Sequence, residues 1–431
     1  MIRDIIADVR DGQTRVAILE DGELVELFME GEGKWEITGN VYRGKAENVL
    51  PGMQAAFVDI GLEKNAFLYV DDIILDGGVF EFSDEQGISK NNALTQSIGG
   101  MISKGQELTV QILKEPIGTK GARVTTQITL PGRYMVLMPL VDYIGVSRRI
   151  EDEGERQRLK GIAEEIRPVG MGLIVRTAAK GRKEEDFLWE IDFLSRLWGK
   201  IQTREQKGKV PRALYQDEGI IYRIIRDFYS PDMGRIIIND KEEYDKLMEL
   251  ADVLFPGLAD KMELFDHEEG IFQYYNIEPK IEKALQRKVW LKSGGYIIID
   301  PTEALTVIDV NTGKFVGSRN LEDTVLKTNL EAAREIAHQI RLRDIGGIIL
   351  IDFIDMDVAK NRERVLEVLN HSLKKDRVKT SILGFTGLGL VEMTRKKIRG
   401  RLSTKLLKDC PHCHGTGRVH SEVMSAIKTE K

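Results

Sequence analysis

From Gly294 onward the apolar and polar positions alternate between short runs and longer periodic stretches. "GGYIIIDPTEALTVIDVNTG" holds two runs of strand length. In "NLEDTVLKTNLEAAREIAHQIRLRDIGG", Leu326, Leu330, Ala333, Ala337 and Ile340 recur at helical spacing, which predicts a helix laying that stripe on a sheet. Asn320 is placed to cap its start, and Gly346 lies just past its end. The strand "GIILIDFI" follows, then a second helix from Val358 to about Lys374, then the strand "KTSILGF". This βαβαβ order predicts a sheet that is at least partly parallel, with right-handed crossovers. Upstream the period changes. Thr38 to Lys114 reads as short alternating strands and Gly turns around a polar, loop-like stretch from Asp76 to Lys104, a pattern that fits a small OB-fold barrel. Between these regions lies an α+β insert: the strand-like "GARVTTQITLPGRYMVLMP", the charged helix "IEDEGERQRLKGIAEEIRP", the apolar "GMGLIVRTAAKG" and a second charged helix from about Lys183 to Gln206.

Length and charge refine this picture. At 431 residues the chain should form roughly three domains. No apolar run approaches the ~18 residues that would span a bilayer, and the opening "MIRDIIADVRDGQTR" lacks an apolar signal core, so a cytoplasmic protein is expected. The two cysteines, Cys410 and Cys413, sit together and exclude a disulfide framework. The net charge of −6 argues against a non-specific polyanion binder. Its distribution argues the other way, because Ser372 to Lys408 carries eleven Lys or Arg against two acids, either a solvated face or a nucleic-acid footprint.

Chemistry enters with "GGIILIDFIDMD", an apolar run carrying Asp352, Asp355 and Asp357. A buried ionised carboxylate is costly without a cation or a hydrogen-bond network. Asp309 lies near the end of "ALTVIDV" and Asp352 towards the same end of the next parallel strand, where open sheets collect ligands. Asn311, two residues beyond Asp309, shares its face. Such a pair beside a basic segment suits Mg²⁺, a hard cation that binds phosphate oxygens; the plainer alternative is a turn cap and an arginine partner. Asp355 points to the opposite face if the strand runs that far. Phe57, Phe67 and Tyr69 either stack bases or fill the barrel. Arg176 and Thr177 follow an apolar strand and precede a helix, a place for a phosphate or for an ordinary surface arginine. "CPHCHGTG" supplies two thiolates where structural zinc needs four ligands. His412, His414, His420 or a second copy of the chain could complete it. Attachment of c-type haem and a thioredoxin-like redox pair are the competing readings.

Three motifs in this order, "IDVNTG", "RDIGGIILIDFIDM" and "CPHCHGTG", resemble the catalytic half of the ribonuclease E/G family of single-strand-specific endoribonucleases. The resemblance extends from "RDIIADV" to the cysteines. It implies an α/β and β multidomain chain: an RNase H-like subdomain from 1–37 and 218–278, an OB-fold RNA-binding barrel at 38–119, an α+β 5′-sensor at 120–217, a DNase I-like catalytic subdomain at 279–403, a zinc link at 404–420 and a tail at 421–431. By the same resemblance Asp309 and Asp352 bind Mg²⁺ with Asn311 assisting, and Phe57, Phe67 and Lys120 clamp RNA. Gly132, Val136, Arg176 and Thr177 match the 5′-monophosphate pocket. Cys410 and Cys413 share Zn²⁺ with a second subunit in a homodimer.

Two departures stand out. Lys379 replaces the sensor's second arginine, which keeps the charge and loses the bidentate fork. The sequence also stops soon after Cys413, so the small C-terminal domain and the disordered scaffold of some relatives are not expected. The function implied is Mg²⁺-dependent cleavage of single-stranded, A/U-rich RNA to 5′-phosphate and 3′-hydroxyl ends, in messenger decay and ribosomal RNA processing. A zinc-clasped RNA-binding scaffold without catalysis is the rival.

Overall fold

The computed structural model describes residues 2–31, 37–73, 80–83, 87–90, 97–116, 120–216, 219–229, 233–254, 257–314, 321–413, 415 and 417. Its first sheet is discontinuous in sequence. Strands Arg3–Arg10, Gln13–Glu20 and Glu23–Glu30 form an antiparallel meander, and Ile236–Ile238 and Met262–Leu264 join it in parallel on the far side of Arg3–Arg10. Each face of this sheet buries its own core, one under helix Ile220–Phe228, the other under Ile271–Tyr274 and Glu278–Leu285.

Between the two segments stands a closed barrel. Val41–Leu50, Ala55–Asp59, Ala66–Tyr69, Arg123–Thr125 and Glu107–Lys114 pair in turn, and Glu107–Lys114 returns to Val41–Leu50, so this OB-like barrel has five strands. Arg212–Tyr215 adds to Val41–Leu50 from outside. The stretch expected to be a loop from Asp76 to Lys104 contains a hairpin, Phe80–Ser83 with Gly87–Lys90, and a short helix, Ile98–Met101. A four-stranded sheet follows in the order Leu130–Pro131, Met135–Met138, Gly172–Val175, Ile144–Val146. Helices Glu153–Ile166 and Glu184–Glu205 cover it over a core of Leu137, Leu173, Leu194 and Trp198.

The last sheet runs Lys288–Trp290, Tyr296–Pro301, Leu305–Asn311, Gly347–Asp352, Val391–Arg395, Thr380–Phe385. Only Leu305–Asn311 and Gly347–Asp352 are parallel neighbours. Thr380–Phe385 does not extend the parallel run as the βαβαβ pattern predicts, because Val391–Arg395 inserts antiparallel between it and Gly347–Asp352. Helices Leu321–Leu342 and Ala359–Leu373 cover one face, and the helical stripe packs as its spacing predicts: Ala333, Ala337 and Ile340 are buried, with Leu326 and Leu330 against the same core. Asn320 lies outside the described residues. At the other end of that helix the left-handed residue is Asp344, at φ 51°, not Gly346. The Ile345 amide reaches back to the Ile340 carbonyl at 3.0 Å, the bond that closes a helix C-terminus.

Buried ion pairs join this last unit to the first sheet. Arg341 donates to Glu26 at 2.8 Å and to Glu20 at 3.0 Å, and Arg399 meets Asp344 at 3.1 Å while lying over the Phe28 ring. The basic run from Ser372 to Lys408 therefore divides by residue type. Arg377, Arg395, Arg399 and Arg401 are tied into internal contacts, whereas Lys374, Lys375, Lys379, Lys396, Lys397, Lys405 and Lys408 are exposed.

Candidate active site

Alternation along Leu305–Asn311 puts Thr306, Ile308 and Val310 into the core and leaves Asp309 and Asn311 on the open face of the sheet. The same alternation in Gly347–Asp352 buries Ile349 and Ile351 and exposes Asp352. The parallel register pairs Asp309 directly with Asp352. Asn311 donates its amide to Asp309 Oδ2 at 2.7 Å. The strand ends at Asp352, so Asp355 is not carried to the opposite face by strand geometry; it stays close enough to act on Asp352. Loss of hydration, then the like charges of Asp309 and Asp355, push the Asp352 carboxyl above the ordinary aspartate range.

Among the described residues no Lys or Arg forms an ion pair with Asp309 or Asp352. Two carboxylates facing each other in register, exposed and oxygen-only, suit a hard divalent cation. No group of three or more His, Cys, Asp or Glu among the described residues is arranged as a full metal cage. A Mg²⁺ site does not require one, because that ion keeps several waters and takes one or two carboxylates.

The pocket around Arg176 has the opposite character. Its guanidinium donates to the Gly132 carbonyl at 2.5 Å and to Asp227 at 2.8 Å, and its amide bonds the Tyr134 carbonyl at 2.7 Å. Burial opposes the charge on Asp227, yet Arg226 and Arg176 outweigh it and hold the carboxyl below its ordinary range. Thr177 is exposed, with its hydroxyl 3.1 Å from that of Ser147. Val136 packs half-buried against Met138, Val141 and Ile174. Behind Gly132 the Glu190 carboxylate accepts the amides of Arg133 at 2.5 Å, Tyr134 at 3.0 Å and Met135 at 2.8 Å. A Cβ on Gly132 would lie 2.5 Å from Glu190 Cδ, so only glycine allows this approach. Burial pushes the Glu190 carboxyl up to about 7. Arg377 lies over the Phe228 ring at 3.6 Å and donates to the Asp227 carbonyl. Lys379, two residues on, is exposed. Glu190, Asp227 and Arg377 escaped sequence reasoning, because each owes its role to a partner more than fifty residues away.

On the barrel the two readings of the aromatics separate. Ala56, Val58, Ala66 and Leu68 fill the interior, and the alternate residues Phe57 and Phe67 face outward as a cross-strand pair 5.2 Å apart. Tyr69 continues the row 4.4 Å from Phe67, with the Arg123 guanidinium 4.8 Å from its own ring centre. Lys120 is exposed just before Arg123–Thr125. At the other end of the chain Cys410 is exposed and Cys413 half-buried. Backbone amides of Cys413 and His412 bond the Cys410 sulfur and lower its thiol pKa, an arrangement that favours the thiolate a metal requires. His414 and His420 lie outside the described residues.

The model of the Ribonuclease E/G family matches residues 129–398, which include Arg176, Asp309, Asn311 and Asp352. The chain belongs to the ribonuclease E/G family. It is 46% identical over 419 residues to Ribonuclease G of Salmonella typhimurium (strain SL1344), covering 97% of this chain and 85% of that protein. It is 45% identical to Ribonuclease G of Escherichia coli (strain K12) over the same length. To Ribonuclease E of Nostoc sp. (strain PCC 7120 / SAG 25.82 / UTEX 2576) it is 42% identical over 408 residues, covering 94% of this chain and 57% of that one. Membership in this family makes the protein an endoribonuclease, a hydrolase of RNA.

Proposed function

We propose that this endoribonuclease, a hydrolase of phosphodiester bonds, is magnesium-dependent and cuts single-stranded, A/U-rich RNA to 5′-phosphate and 3′-hydroxyl ends in messenger decay and ribosomal RNA processing. The observation that carries the reading is the in-register pair of Asp309 and Asp352 on an open face, where among the described residues neither carboxylate has a Lys or Arg ion-pair partner. Asp309 and Asp352 would hold the ion. When bound, a divalent cation supplies Lewis-acid activation and neutralises charge at the scissile phosphate. Asn311, by its hydrogen bond to Oδ2, fixes the orientation of the Asp309 carboxylate. The outward row of Phe57, Phe67 and Tyr69, with Lys120, supports base stacking and phosphate contact. Arg176 and Thr177, backed by Gly132 and Val136, receive a 5′-monophosphate, and Lys379 adds charge there without a fork.

In this reading the discontinuous first sheet is the RNase H-like subdomain (1–37 and 218–278), 38–119 the RNA-binding barrel, 120–217 the 5′-sensor and 279–403 the DNase I-like catalytic subdomain. The link at 404–420 contributes Cys410 and Cys413 to a Zn²⁺ shared between two subunits of a homodimer. No helix among the described residues is long and apolar enough to cross a membrane, and we place the enzyme in the cytoplasm.

The test is cleavage of a short A/U-rich 5′-monophosphorylated RNA with Mg²⁺ by wild type and Asp352→Asn, with metal content measured on both. The expected result is loss of cutting by more than about a hundredfold, beyond the cost of an outer-shell partner, RNA binding retained and about half a zinc per chain. Equal cutting by both proteins would move the chemistry away from Asp352. RNA bound equally well with EDTA and left intact by wild type would leave a scaffold.

A further inference from the structure

The catalytic sheet ends, on the Asp309 side, in the short edge strand Lys288–Trp290. Trp290 is 56% exposed, although tryptophan is a residue that folding ordinarily covers. Its position relative to the carboxylates follows from the register. Lys288 pairs with Ile298, Ile298 with Asp309 and Asp309 with Asp352, one row across four strands. The adjoining row is Trp290, Tyr296 and Asn311. Residues paired across strands share a face. The alternating neighbours Ile297 and Ile299 are buried under the helices on the other side. Lys288, Trp290 and Tyr296 therefore line the same open face as Asp309, Asn311 and Asp352.

At about 4.8 Å per strand, Trp290 stands two strands, on the order of 10 Å, from Asn311. The Trp290 and Tyr296 rings are 5.4 Å apart, inclined at 67°, and Lys288 Nζ lies 3.9 Å from one ring centre and 3.6 Å from the other. A Cβ on Gly313, which has φ 57°, would sit 3.1 Å from Tyr296 Cδ1, so the turn after Asn311 packs close against that ring. A lysine on an edge strand is a common guard against unwanted strand pairing. That purpose does not explain a tryptophan beside it.

We propose that Trp290 and Tyr296 form a stacking platform for an unpaired base next to the cleaved bond, and that Lys288, held between the rings, contacts the adjoining phosphate. This rests on the endoribonuclease reading and deepens it by adding a substrate subsite on the catalytic sheet itself. Every base has a π-face, so the platform is tolerant of sequence. A duplex keeps its bases stacked on one another, so the platform selects single strands.

Binding of a fluorescently labelled single-stranded oligoribonucleotide is measured in EDTA for wild type, Trp290→Ala and Trp290→Phe, beside a blunt RNA duplex. Trp290→Ala is expected to weaken single-strand binding about five- to tenfold, the lower part of the range for one stacked base. Trp290→Phe should recover most of it, and duplex binding should not change. With Mg²⁺, the alanine variant should raise KM more than it lowers kcat. Thermal melts of the variants matching wild type would exclude a folding defect at this exposed position. Single-strand binding by Trp290→Ala as tight as wild type, or an equal loss for the phenylalanine variant, would overturn the platform. A wild type that binds no RNA would instead remove the reading on which the platform rests.

Discussion

Asp352 and Arg176 each stand at the end of a buried strand, yet one is surrounded by like charge and the other by its opposite. Asp352 faces Asp309 across a parallel register and feels Asp355, while Asn311 donates to Asp309. Arg176 is already held by Asp227 and by the Gly132 carbonyl, and Asp227 is held in turn by Arg226. The acidic face sets like charges against each other, a repulsion that an incoming cation would relieve. The pocket around Arg176 is neutralised from within, so a phosphate arriving there has to share its arginine with a carboxylate. Exposure makes the first arrangement tolerable: like charges in water are screened, whereas the same pair in the interior would protonate or unfold the sheet.

The contrast can be broken most forcefully at Glu190, a buried carboxylate beside the arginine pocket whose hydrogen-bond partners are backbone amides. Its carboxyl is pushed up to about 7, above the value in an unfolded chain. Between pH 4.5 and 7 the unfolded state therefore binds fewer protons at this site, and stability falls as pH rises through that window. The stability of Glu190→Gln minus that of wild type should grow between about pH 5 and pH 8 by on the order of 3 kcal/mol, read from denaturant melts. A pH-independent difference would mean that the three amides offset burial entirely.

If the proposed metal sits on the acidic face, Asn311→Ala should slow cleavage about ten- to a hundredfold, the usual cost of removing the group that orients a metal ligand, with no change in melting temperature. Unchanged cleavage would mean that Asp309 needs no partner. The smallest effect concerns end recognition. Arg176→Ala should cost about tenfold on 5′-monophosphorylated RNA, the loss of one charge-assisted bond, and little on 5′-hydroxylated RNA. An equal loss on both would assign Arg176 to holding Asp227 and not to reading the RNA end.

Local patterns carried much of the architecture. The helical stripe from Leu326 to Ile340 and the alternation in "ALTVIDV" and "GIILID" depend on near neighbours, so period alone put Ala333 in the core and Asp309 and Asp352 on one face. The outward row of Phe57 and Phe67 was half legible: alternation requires one face or the other, and only the closed barrel says which face is inside.

By itself the sequence determined the strand and helix periods, the pairing of two acidic strand ends and the motifs that mark the family. Tertiary structure alone decided where Val391–Arg395 inserts, that the arginines of the basic run bond internal partners while its lysines are exposed, and that Glu190, Asp227 and Arg377 meet the arginine pocket. Trp290 on the face of Asp309 and Asp352 belongs to the same group, since a register across several strands put it there. The physical reason is range: periodicity is written by residues a few positions apart, whereas charge neutralisation and sheet order depend on side chains that only a completed fold brings within a few ångströms.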